Sequence, residues 1–82
     1  MYYMNVNLVS VLSDVFGLPA DQIVPELTKD DVGSWDSLKQ MDLVMSIEKK
    51  FDITLAVTDI IKMDSVAKIM AVLHNKGVNL EA

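Results

Sequence analysis

Ser37 is the residue of this sequence best placed to do chemistry. It follows Gly33-Ser34-Trp35-Asp36 and opens the longest amphipathic segment, Leu38 to Phe51. Asp36 is a good helix cap, because its carboxylate can accept from N–H groups that a first turn leaves without partners. Ser37 then falls on the first turn, with its side chain toward solvent. It sits at the positive end of the helix macrodipole, where a phosphate on its oxygen is tolerated. The pattern therefore reads as a point of covalent attachment at Ser37, positioned by Asp36.

Other chemistry is sparse. His74 is the single histidine, on the polar side of a helix near its end, and reads as a solvated side chain. Asp30, Asp31 and Asp36 make a solvated acidic loop more readily than a cation site. No histidine or cysteine cluster supports zinc, no Gly-rich phosphate loop is present, and no nucleophile–base pair is evident. No metal site is expected, and an enzyme in its own right is disfavoured. Asp64-Ser65-Val66 repeats the cap-and-serine pattern of Asp36-Ser37-Leu38. Asp-Ser before an apolar residue is thus only a helix start until its context is considered.

The elements that must position Ser37 follow from periodicity. Val6, Leu8, Val9, Leu12, Val15 and Phe16 recur at helical spacing, with Asn5 as cap and Gly17 then Pro19 as stop, giving a helix over about 5–16. Leu18 to Trp35 contains Pro19, Pro25 and Gly33 and shows no sustained period. About eighteen residues is long for a connection in a compact domain, which marks a functional loop. Ile23, Val24, Leu27, Val32 and Trp35 should anchor it, and 20–24 can form one helical turn. Trp35 reads as a loop anchor, with a role at the base of an attached group as the lesser reading.

Helix two, about 36–51, carries more apolar surface than a core requires. Its polar arc holds Lys39, Asp42, Ser46, Lys49 and Lys50, and its apolar residues cover about 220° against the roughly 100° a core-facing stripe needs. Leu43, Val44, Ile47 and Phe51 suit burial. Leu38, Met41 and Met45, edged by Asp42 and Glu48, form a second strip on the side continuing from Ser37. A surplus apolar strip edged by carboxylates beside a reactive hydroxyl reads as a docking surface, and methionine suits one that fits several partners. The alternative is a small bundle that buries helix two on most sides. A short helix follows over about 57–62, with Thr58 as cap and Ile60-Ile61 packed inward. The last spans about 64–76, with Asp64 as cap, Val66, Ile69, Met70, Val72 and Leu73 as its stripe, and Lys76 and Gly77 at its end. Val78 to Ala82 is a tail. The expected architecture is all-α, a single domain over 1–82: a small four-helix bundle of three longer helices and one short third, with a long loop between the first two.

Composition narrows the function classes. With 82 residues and no cysteine, no disulfide can staple the fold, so the 51% apolar content must supply it. Twelve acidic residues against seven basic give a net charge of −5. That disfavours nucleic acid and anionic membrane and favours basic partners. Met1-Tyr2-Tyr3-Met4-Asn5 lacks the basic region of a signal peptide, and no run is long enough to cross a bilayer. A soluble, cytoplasmic protein without stable membrane insertion is expected, as a monomer.

Trp35-Asp36-Ser37-Leu38, the run from Leu43 to Asp52, and the order long helix, long loop, helix, short helix, helix together resemble an acyl carrier protein. The likeness extends from about Val6 to Gly77 and is strongest between Gly33 and Asp52. It implies that Ser37 bears 4′-phosphopantetheine, donated from coenzyme A by a phosphopantetheinyl transferase, whose thiol holds acyl groups as thioesters. It implies a carrier and not an enzyme, serving acyl-loading, condensing or acyltransferase enzymes with basic docking patches in lipid, polyketide or related biosynthesis. It also places the partner face on Leu38, Met41, Asp42, Met45 and Glu48, with Asp59 on the short helix, in agreement with the strip found from periodicity.

This sequence departs from the more acidic members that serve primary fatty-acid synthesis. Lys39, Lys49 and Lys50 interrupt helix two, and Asp59 has Lys62 nearby. Lysines weaken attraction to basic patches, which is how one carrier avoids another's enzymes, so a specialised pathway is favoured. An aminoacyl or peptidyl carrier would share the modification and differ in cargo. A non-catalytic helical interaction protein without a prosthetic group is the remaining alternative.

Overall fold

The computed structural model describes residues 4–80, among which the chain forms four α-helices and no strand. Met1-Tyr2-Tyr3, on which the signal-peptide reading largely falls, and Glu81-Ala82 of the tail lie outside the described residues. No helix among those described is long and apolar enough to cross a membrane.

Helix α1 spans Val6–Phe16. Asn5 caps it, its Oδ1 accepting the Leu8 N–H at 3.1 Å. Gly17 ends it in the left-handed region, φ 67°, which glycine adopts without steric cost. Leu8, Val11, Leu12, Val15 and Phe16 face inward and are buried.

The loop that follows is part of the framework. It holds a 3-10 turn at Ala20–Gln22 and lies on the core through buried Ile23, Val32 and Trp35, with Leu27 partly buried. Its middle is tied to the start of the last helix. The Val66 N–H donates to the Leu27 carbonyl and the Ala67 N–H to the Pro25 carbonyl, both at 2.9 Å, and the Lys29 N–H donates to the Asp64 carbonyl at 3.2 Å. The loop's carbonyls thus satisfy amides that a helix start leaves open, and each side fixes the other.

Helices α2 (Ser37–Phe51), α3 (Val57–Lys62) and α4 (Val66–Asn75) complete the fold. Helices α1 and α2 pack against each other, and α3 rests on α4. Leu8 and Leu12 of α1, Leu43 and Ile47 of α2, Met63, and Val66, Ile69 and Leu73 of α4 fill the centre with almost no solvent contact.

Three expectations about the last two helices need correction. Thr58 does not cap α3. The helix begins at Val57, and Asp59 reaches back to accept the Ala56 N–H at 3.0 Å, so an acid inside the first turn takes the capping task. Ile60 and Ile61 do not both pack inward. Ile60 is partly buried and Ile61 is 73% exposed, because successive helical residues point about 100° apart. Asp64 does not cap α4 either. Ser65 does, its Oγ accepting the Lys68 N–H at 3.1 Å, so the helix starts at Val66. The Asp64 carboxylate instead pairs with the Lys68 ammonium at 3.3 Å.

Candidate functional site

Ser37 opens α2 where the loop ends, and several contacts fix that corner. The Trp35 N–H donates to the Val32 carbonyl at 3.0 Å and the Asp36 N–H to the Ser34 carbonyl at 2.9 Å. Asp36 is extended, and its Oδ1 accepts the Lys39 N–H at 2.9 Å. Its carbonyl takes the Gln40 N–H at 2.8 Å. Two of the four open amides of the helix start are thereby used. The N–H groups of Ser37 and Leu38 donate to no protein acceptor among the described residues.

Ser37 itself is exposed, and its hydroxyl has no hydrogen-bond partner among the described residues. The corner therefore combines a free alcohol with two free backbone donors at the positive end of α2. That arrangement fits an anionic ester on Ser37, since a phosphate there can accept what the protein leaves unsatisfied.

Ser65, in the similar sequence Asp64-Ser65-Val66, is used differently. Its Oγ is the cap acceptor for Lys68, and the two amides that follow are filled by the Leu27 and Pro25 carbonyls. In α2 the aspartate caps and the serine is left over; in α4 the serine caps. One residue of register separates a free alcohol from a structural one.

The second strip of α2 stays in water. Leu38 is 81% exposed, Met41 52% and Met45 66%, whereas Leu43, Val44 and Ile47 of the same helix are buried. Asp42 is exposed beside the strip. The two other acids expected on this face have internal tasks. Glu48 Oε2 accepts the Leu55 N–H at 2.8 Å, holding the end of the α2–α3 connection just before α3. Asp59 caps α3 and lies 2.9 Å from the Lys76 ammonium. The bond from Lys76, then that from the Ala56 N–H, hold its carboxyl below the usual carboxylate range.

Sequence reasoning missed Gln40. It is buried, one turn below Ser37, and its Oε1 accepts the Trp35 indole N–H at 2.6 Å. Its Nε2 donates to the carbonyls of Ile60 at 3.0 Å and Met63 at 3.2 Å. A signal was available: at helical spacing Gln40 falls within the arc of Leu43, Val44, Ile47 and Phe51, where a polar residue needs partners. Trp35 is 5% exposed, which supports its reading as a loop anchor.

A family model described as the phosphopantetheine attachment site matches residues 7–73. An acyl carrier protein from Exiguobacterium sp. strain AT1b is 35% identical over 72 residues, covering 87% of this chain and 90% of its own. Proteins of this family are carriers, and the reactions on their cargo belong to other proteins. With the match running from early in α1 to late in α4, and with a named relative alike along nearly its whole length, this chain belongs to the acyl carrier proteins, which bear 4′-phosphopantetheine and are not themselves catalysts.

Proposed function

We propose that the chain is a single carrier domain whose 4′-phosphopantetheine is attached to Ser37. The observation that carries this reading is the free, exposed hydroxyl of Ser37 beside two unpartnered amides, set against a Ser65 whose oxygen is committed to α4. The Ser37 oxygen attacks the phosphorus next to pantetheine in coenzyme A. A new P–O bond forms, the phosphoanhydride bond breaks, the nucleotide bisphosphate leaves, and the serine proton passes to a base of the transferase. The Ser37 and Leu38 N–H groups, which have no protein acceptor among the described residues, would be available to hold the phosphodiester, and Asp36 keeps the helix start in place. The arm supplies a thiol on a flexible tether, to which an acyl group is joined as a thioester.

The docking face comprises Leu38, Met41, Asp42 and Met45. Their exposure supports this, and so does the position of the strip on the side of α2 that continues from Ser37. Partner enzymes meet it with an apolar patch edged by basic groups. Glu48 and Asp59 contribute less, because internal hydrogen bonds already occupy their carboxylates. Lys39, Lys49 and Lys50 make the helix less acidic and favour a dedicated pathway over general fatty-acid synthesis.

Intact mass after incubation with coenzyme A and a broad-specificity phosphopantetheinyl transferase tests the attachment. The wild type should gain one phosphopantetheinyl group, Ser65→Ala should gain it too, and Ser37→Ala should gain none. Loading of Ser37→Ala would sink the assignment.

A further inference from the structure

The line running down α2 from Ser37 has a different neighbour on each side. At about 100° per residue, Met41 lies about 40° to one side and Gln40 about 60° to the other. Met41 belongs to the exposed strip, and Gln40 is buried at 7% exposure. An apolar chain hung from Ser37 thus has two refuges, the strip and the core, and the way to the core passes Gln40.

Gln40 is held from two directions. Its Oε1 is bonded to the Trp35 indole, and its Nε2 to the carbonyls of Ile60 and Met63. One amide closes the junction between the end of the long loop, α2 and the end of α3. Helix α3 has no fully buried residue of its own and is anchored by buried Leu55 and Met63 on either side of it, to which this junction and the Asp59–Lys76 pair add polar ties. Parting α2 from α3 there takes both acceptors from the buried Gln40 Nε2 and leaves the Met63 carbonyl without its donor, while the Ile60 carbonyl keeps the Met63 N–H. A hydrocarbon chain has no polar atoms to replace them. The strip offers apolar contact without that loss.

We infer that Gln40 is a specificity-determining residue: it latches α2 to α3 and keeps a medium-length acyl cargo on the Leu38–Met41–Met45 strip, outside the core. The inference rests on attachment at Ser37. Its consequence is a carrier that presents its cargo uncovered, with no helix movement needed to release the chain to a partner enzyme.

The test compares acetyl and octanoyl forms, each loaded from its coenzyme A thioester by a broad-specificity transferase, in the wild type and in Gln40→Leu. Wild-type octanoyl and acetyl forms should melt within about 2 °C of each other, since no methylene enters the core. In Gln40→Leu the octanoyl form should melt about 10 °C above the acetyl form, as several methylenes become buried. Methyl NMR of the wild type gives a second readout that needs no variant. Octanoyl loading should shift the Met41 and Met45 methyls and leave those of Leu43, Ile47 and Ile69 in place. Shifts at the core methyls, a rise of that size in the wild type, or no rise in a folded Gln40→Leu would each overturn the latch. An intact mass that does not change on loading is a distinct result: it removes attachment altogether, and the latch with it.

Discussion

The indole ring of Trp35 packs against the phenyl ring of Phe16, with centroids 4.5 Å apart and planes inclined by 37°. The contact joins the last residue of α1 to the residue two before Ser37, so the corner bearing the free alcohol is fixed to the core from both ends of the long loop. The same indole donates its N–H to Gln40.

Trp35→Ala removes the ring contact and leaves the Gln40 acceptor without its donor. It should cost about 3–5 kcal/mol, the range for truncating a buried aromatic residue. Trp35→Phe keeps most of the ring packing and loses the hydrogen bond, and should cost about 1–3 kcal/mol. Urea denaturation of both variants checks the order. A Trp35→Phe loss as large as that of Trp35→Ala would mean that the hydrogen bond, and not the stacking, holds the corner.

The two serines should part company in stability as well as in loading. Ser65→Ala deletes the cap of α4 and should destabilise by about 1 kcal/mol, with Lys68 left without its acceptor. Ser37→Ala alters an exposed residue that caps nothing and should stay within about 0.5 kcal/mol of the wild type. Melting curves read beside the intact masses give the cross-over: stability lost without loading lost at 65, and the reverse at 37.

Much of this arrangement is visible in the residue pattern, for identifiable reasons. The bounds of α1, the cap at Asp36 and the exposed strip of α2 are local consequences of spacing, and the 3.6-residue period alone separates Leu43 from Met45. The caps of α3 and α4 do not follow from the pattern, because several polar residues compete for each helix start. Thr58 and Asp59, and Asp64 and Ser65, are adjacent, and composition does not say whose oxygen will meet the amide. The role of Gln40 is hidden in the pattern for a different reason. Its partners are an indole five residues back and two carbonyls more than a turn beyond α2, which only the folded chain brings together. The internal tasks of Glu48 and Asp59 likewise depend on Leu55 and Lys76, distant in sequence.

Met45→Glu tests the docking face. At 66% exposure the side chain adds little to the fold, so stability should change by less than about 0.5 kcal/mol. Use of the loaded protein by a partner enzyme should fall, with KM raised about tenfold and kcat nearly unchanged, as expected when an anchor of a recognition patch is replaced by a charge. Leu43→Ala, two residues away and buried, should instead cost about 2–5 kcal/mol. Unfolding of Met45→Glu would mean that the strip is packed in solution.

Asp59 carries a pH dependence whose sign follows from its contacts. The Lys76 ammonium and the Ala56 N–H both favour the ionised carboxylate, so its pKa in the folded protein lies below that in the unfolded chain. A group lowered in this way contributes stability that is fully present above the unfolded value, about 3.9 for aspartate, and is lost as pH falls through the folded value. Near neutral pH the wild type should therefore be more stable than Asp59→Asn, and the gap should close between about pH 4 and the lower folded value. Lys76→Gln should remove most of the same pH-dependent difference, since it takes away the largest cause of the shift while leaving the Ala56 bond. Urea midpoints of the three proteins at neutral pH and across the acid range check this. A wild-type advantage over Asp59→Asn that persists undiminished well below the carboxylate range would show that the side chain acts through packing and not through its charge.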